Sequence, residues 1–128
     1  MLMNKDDQFH AGLALRRIMF GPGGSDEQID NATDLTEAMQ EFVTRECFGG
    51  TWQRDGLSTR ERSLITVGML LALGRSHEIR IHMRGALANG ASTEELREVV
   101  LQSVMYCGIP AGMEGIRTLV EISAEDAT

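Results

Sequence analysis

Apolar side chains in this chain recur at steps of three and four residues between glycine and proline breaks, and nowhere alternate at steps of two between hairpin turns. That period belongs to helices with one buried face, so the pattern excludes a β-fold and predicts an all-α protein. Two capping boxes sharpen the reading. Ser58-x-x-Glu61 and Ser92-x-x-Glu95 each place a hydroxyl at a helix start and a carboxylate three residues on, where both satisfy free backbone amides.

The breaks divide the chain into five or six helices. Residues 5–19 form a first helix with Phe9 and Leu13 on one face, closed by GPGG at 21–24. Residues 21–32 are polar and read as a loop. Thr33 or Asp34 caps a second helix carrying Leu35, Met39, Phe42 and Val43, which ends at Gly49-Gly50. TWQRDG at 51–56 is a connector holding the only Trp. Leu64, Val67, Leu70 and Leu71 face inward on the helix after Ser58, and Gly74 interrupts it. Ile79, Met83, Ala86 and Leu87 form the stripe of a helix over 76–89, stopped by Gly90. Leu96, Val99, Val100 and Val104 repeat the pattern up to Gly108. Pro110 then suits the first turn of a last helix with Met113, Ile116, Leu119 and Val120.

With 128 residues and no linker or low-complexity segment, residues 1–128 read as a single domain. No apolar run reaches the roughly 20 residues of a membrane span, and the first residues lack the pattern of a signal peptide, so a cytoplasmic protein is expected. A net charge of −7 without a basic tail argues against nucleic-acid binding. Cys47 and Cys107 match no metal-ligand or CxxC spacing and read as reduced, buried thiols. Of 12 basic side chains only Lys5 is Lys; the others are Arg, whose planar fork grips carboxylates in pairs of bonds.

Chemistry concentrates directly after the apolar run, where Arg75, His77, Glu78, Arg80, His82 and Arg84 crowd ten residues. Glu78 and His82, four apart, share a helix face beside the apolar stripe, and Arg75 extends that face toward the helix start. A carboxylate next to an imidazole at the edge of a core is a workable acid–base pair. The same spacing also describes an ordinary ion pair on a solvated helix. Two ligands alone make no metal site, and nothing completes them. Arg60 and Arg62 sit where a helix N-terminus disfavours cations, which points to a partner carboxylate or to Glu61. Trp52 reads as a packing residue before a ligand and His10 as a surface residue, while Tyr106 and Cys107 read as core residues that could instead line a pocket.

Taken together, AGLALRRIMFG at 11–21, NATDLTEAMQEFVTRECFGGTWQRDGLSTRERSLITVGMLLALGR at 31–75, HEIRIHMRGALANG at 77–90 and EELREVVLQSVMYCGIPAG at 94–112 resemble the carboxymuconolactone decarboxylase family, over almost the whole chain. The wider superfamily includes alkylhydroperoxidase D-like enzymes with a Cys-x-x-Cys pair ahead of a His. Anchored on His82, those two positions are Arg75 and Glu78, so a thiol peroxidase is disfavoured. The resemblance implies an alkylhydroperoxidase D-like helical domain with a central antiparallel helix hairpin, assembled as a homo-oligomer with a hexamer expected. It implies a cofactor-free carboxy-lyase of aromatic catabolism, in the β-ketoadipate pathway, that converts a lactone dicarboxylate, 4-carboxymuconolactone, to 3-oxoadipate enol-lactone. His82 and Glu78 are then the catalytic candidates, and Arg75, Arg80, His77 and Arg62 the substrate-binding ones. The alternatives are a related lactone acid as substrate, or a scaffold that binds small acids without turnover.

Overall fold

Asp6 starts the first helix: its carboxylate accepts from the Phe9 amide (3.0 Å), satisfying a free donor of the opening turn. The same carboxylate takes two bonds from Arg45 (3.0 and 2.7 Å), whose guanidinium is the main cause holding its pKa down to about 2. The computed structural model describes residues 3–127, and among them every regular element is helical. The helices are α1 (Asp7–Phe20), α2 (Asp26–Asp30), α3 (Glu37–Phe42), α4 (Thr59–Leu73), α5 (Ser76–Ala88), α6 (Thr93–Cys107) and α7 (Ile109–Asp126). They fall into two compact units, Met1–Thr59 and Arg60–Thr128.

In the first unit α3 runs into a π-helix, Val43–Phe48, where the Gly49 amide bonds to the Thr44 carbonyl five residues back (2.8 Å). The reason is close packing against α1. A Cβ on Gly12 would lie 1.8 Å from the Thr44 oxygen, and one on Gly49 2.1 Å from the Gln8 oxygen, so two backbones meet where only glycine fits. Arg16, 5% exposed, ties this unit together. Its guanidinium donates to the Gly24 carbonyl (3.2 and 2.9 Å), to Gln40 Oε1 (2.9 Å) and to Thr44 Oγ1 (2.8 Å). Leu15, Met19, Phe48 and Trp52 form the adjoining apolar cluster, with Trp52 stacked on Phe48.

Three expectations fail in this unit. Residues 21–32 are not a plain loop: Pro22–Gly24 is a 3₁₀ turn and α2 follows, which raises the α-helix count to seven. Arg16 explains the order, since it holds the Gly24 carbonyl. The second helix starts later, with Thr36 at its N-cap, and of its four expected apolar residues only Val43 packs inward, against the Leu15 cluster. Leu35 is 94% exposed, Met39 62% and Phe42 60%.

The second unit follows the sequence reading more closely. Val67 and Leu71 of α4, Ile79, Met83 and Ala86 of α5, Leu96 and Val100 of α6, and Leu119 and Ile122 of α7 form one buried cluster. Gly74, at φ 68°, turns the chain from α4 into α5, a conformation that side chains rarely adopt. The two helices run antiparallel, with Asn89 after α5 donating to Ser63 near the start of α4 (3.0 Å). Ser92 and Glu95 form the reciprocal capping box that opens α6, each bond 3.0 Å. Gly112 and Gly115 let α7 lie close on α6: a Cβ on Gly112 would meet Val104 Cγ2 at 2.1 Å. Met113 and Val120, expected in the core, are exposed because these glycines set the rotation of α7. Cys107, expected to be buried, is exposed at the end of α6, whereas Cys47 is half-buried with its thiol pKa pushed up by burial.

Two glycine substitutions test this packing in opposite directions. Gly12→Ala meets rigid backbone and is expected to cost about 3 kcal/mol. Gly68→Ala finds only Val99 Cγ1 at 3.8 Å and is expected to stabilise, by about 0.5–1 kcal/mol, because alanine is the better helix former. Urea unfolding of both variants is the check, and equal effects would contradict the close approach of α1 and the π-helix.

Candidate active site

Three side chains named from the sequence lie along one stripe of α5. At about 100° per residue, Glu78 lies some 40° round the helix from His82, and Arg75, at the N-cap, within about 20° of it. The stripe borders the buried face of Ile79, Met83 and Ala86. His82 is half-buried, and its Nδ1 is shut off from solvent; Glu78 and Arg75 are exposed. Burial is the larger influence on the imidazole and pushes its pKa below the ordinary 6.5, while the Glu78 charge pulls upward without prevailing. At neutral pH His82 is therefore an uncharged imidazole beside a carboxylate.

The other candidates are placed differently. His77 is exposed. Arg62, near the start of α4, is half-buried with its Nε shielded, and its carbonyl accepts from Thr66 Oγ1 (2.8 Å). Arg80 lies two residues from His82, hence about 200° round the helix. Its guanidinium is bonded to Glu121 (3.1 Å) and to Glu125 on α7. Arg60, whose unfavourable position in the first turn suggested a carboxylate partner, has one in Glu95, the capping residue of α6.

A recess of about 580 Å³ also lies in this unit, between α4 and α6. Leu64, Ile65, Gly68, Val99, Tyr106 and Cys107 line it, and its charged lining consists of the carboxylates of Glu95 and Glu98. None of the six candidate residues reaches it. Of the two readings of Tyr106 and Cys107, the pocket one holds, and Tyr106 is 83% exposed there and not in the core. Arg60 already occupies the Glu95 carboxylate and Glu98 repels anions, so the chemistry of this recess is that of an apolar surface.

Sequence reasoning passed over the acidic residues of α7. Glu114, Glu121 and Glu125 fall at spacings of seven and four, a one-sided stripe visible in the sequence, and all three bond to α5. Among the described residues no cluster of His, Cys, Asp and Glu suits a metal ion, and no helix is long and apolar enough to cross a membrane.

Comparison with known proteins gives the family. Residues 37–121 match the model of the carboxymuconolactone decarboxylase family. The chain belongs to that family. It is 34% identical over 120 residues to 4-carboxymuconolactone decarboxylase of Acinetobacter baylyi, covering 94% of this chain and 90% of the relative. It is 36% identical over 108 residues to nitrosuccinic acid decarboxylase of Metarhizium robertsii, covering 84% and 76% respectively. An uncharacterised 15.0 kDa protein of Paracoccus denitrificans is 35% identical over 81 residues, 62% of this chain and 60% of that one. Both relatives of this family that carry an activity in their names are decarboxylases.

The state of His82 makes stability depend on pH. Because the folded chain holds the less basic imidazole, the unfolded chain binds the extra proton first as pH falls below 6.5. The contribution of the neutral imidazole is complete above that pH and is lost as pH falls through the lower, folded value. Tm is expected to decline between about pH 7 and pH 5 in the wild type and to decline less in His82→Gln. Equal declines would show that His82 titrates normally.

Proposed function

We infer that this protein is a decarboxylase of an acid that carries two carboxylates and its own electron sink, with 4-carboxymuconolactone as substrate and 3-oxoadipate enol-lactone as product. The observation that carries this reading is the nearly end-to-end likeness to the Acinetobacter baylyi enzyme. The chemistry supports it. In that lactone the departing carboxylate sits on a ring carbon joined through a C=C to the lactone carbonyl. When the C–C bond to CO₂ breaks, the electron pair flows through the double bond to the carbonyl oxygen and leaves a dienolate. A proton then returns to the ring carbon next to the carbonyl. The substrate is thus its own electron sink, and the protein's task is to stabilise the oxyanion and deliver one proton.

On this reading the neutral imidazole of His82 donates a hydrogen bond to the growing oxyanion or a proton to the ring carbon. Glu78, one turn away, orients the imidazole and crowds the leaving carboxylate, or relays the proton. Arg75, on the same stripe, holds the carboxylate that stays, with His77 and Arg62 next in rank. We read residues 1–128 as one domain, since the family match crosses both compact units. Further copies of the chain are the expected partners, in a hexamer, and exposed Met69, Leu73, Leu101 and Met105 supply apolar surface for such contacts. The likeness to nitrosuccinic acid decarboxylase favours a second substrate reading. A nitro-substituted dicarboxylic acid likewise loses one carboxylate next to an electron sink and keeps the other.

Purified protein mixed with the synthetic lactone is expected to bleach its conjugated ultraviolet absorbance, and faster than it consumes nitrosuccinate. His82→Ala is expected to lower kcat by about a hundredfold, the scale seen on removing one oxyanion donor. Wild-type turnover in that variant removes His82 from the mechanism, and binding without turnover makes the protein an acid-binding one.

A further inference from the structure

The side of α5 turned away from His82 carries a polar ladder. Ser76, Arg80 and Arg84, four residues apart, meet Glu114, Glu121 and Glu125 on α7 in ascending order, so the two helices run parallel along the contact. Ser76 donates to Glu114, Arg80 to Glu121 (3.1 Å) and Glu125, and Arg84 to Glu125 and Asp126 (3.4 Å). Glu125 bridges both guanidiniums, which makes the upper rungs a network and not isolated pairs. Two cations there face the three carboxylates of Glu121, Glu125 and Asp126, so the patch repels a dianionic acid. Arg80 and Arg84 each stand two residues from His82 and so about 200° round the helix, too far for one small substrate to touch both faces.

We propose that Arg80 and Arg84 are positioning residues of the decarboxylation: bonded to Glu121, Glu125 and Asp126, they fix the rotation of α5 and so the placement of His82. The proposal rests on the reading of His82 given above. Apolar burial of Ile79, Met83 and Ala86 sets which side of α5 faces inward, but apolar contacts are not directional. Bonds of defined geometry along the border of that face away from His82 limit roll and sliding, which matters where a misplacement of about 1 Å is costly.

The test compares Arg80→Gln, Arg80→Lys and Glu125→Gln with the wild type, each checked for native helicity by circular dichroism. The readouts are kcat and KM with the lactone and the titration of the His82 ring by NMR near physiological salt. Positioning predicts that Arg80→Gln and Glu125→Gln both lower kcat, roughly three- to tenfold, and leave KM within about twofold. Arg80→Lys retains most of the rate. Both Gln variants also move the His82 midpoint upward, because water reaches a loosened imidazole. Direct charge effects differ in sign: loss of the cation raises that midpoint and loss of the anion lowers it. A tenfold rise in KM confined to Arg80→Gln makes Arg80 a substrate ligand and overturns the proposal. Unchanged kcat and midpoint with only a lower Tm reduce the ladder to a structural brace and overturn it too. If wild-type protein does not turn the lactone over, the substrate reading falls, and the two midpoints still decide whether the ladder sets His82.

Discussion

Burial of one face of α5 is the constraint from which the rest of the site follows. Ile79, Met83 and Ala86 are fully withdrawn from water, and each buried aliphatic side chain contributes on the order of 1–3 kcal/mol. Once that face is set, helical geometry leaves no choice about its neighbours. The stripe of Arg75, Glu78 and His82 borders the core on one side, and the ladder of Ser76, Arg80 and Arg84 borders it on the other. His82 consequently lies where apolar packing and solvent meet. It is dry enough to stay uncharged and yet only half-buried.

That placement bears on the chemistry proposed for His82. A charged imidazolium would lower the energy of the bound dianion and of the dienolate alike. A neutral donor acts most where negative charge newly gathers, at the carbonyl oxygen. On the proposed reading, the nearby Glu78 carboxylate would disfavour a second carboxylate beside it and so favour loss of CO₂ over retention. These influences act in one direction, and none of them asks the protein to supply the electron sink.

Much of this was legible in the sequence, and the failures have identifiable causes. The stripes of α4, α5 and α6, the Gly74 and Gly90 breaks and the Ser92 box are local signals, and the structure follows them. Helix capping and apolar period depend on neighbours within a turn or two, so one sequence suffices to read them. The misreadings of α2 and of the outward Leu35, Met39 and Phe42 arise from long-range contacts. Arg16 reaches Gly24 and Thr44 across the first unit, and the Gly12–Thr44 approach forces the π-helix. Neither leaves a periodic trace. Within the candidate site, the stripe of Glu78 and His82 was readable from spacing, whereas the pairing of Arg80 with α7 needed two helices set side by side.

The most direct test of the account is the stereochemistry of proton return. Lactone decarboxylated by the protein in D₂O is expected to carry one deuterium on the ring carbon beside the carbonyl, on a single face, as NMR of the product reads it. In the His82→Ala variant, residual product is expected to carry deuterium on both faces. Single-face labelling that survives the loss of His82 would contradict the placement of this imidazole beside the dienolate.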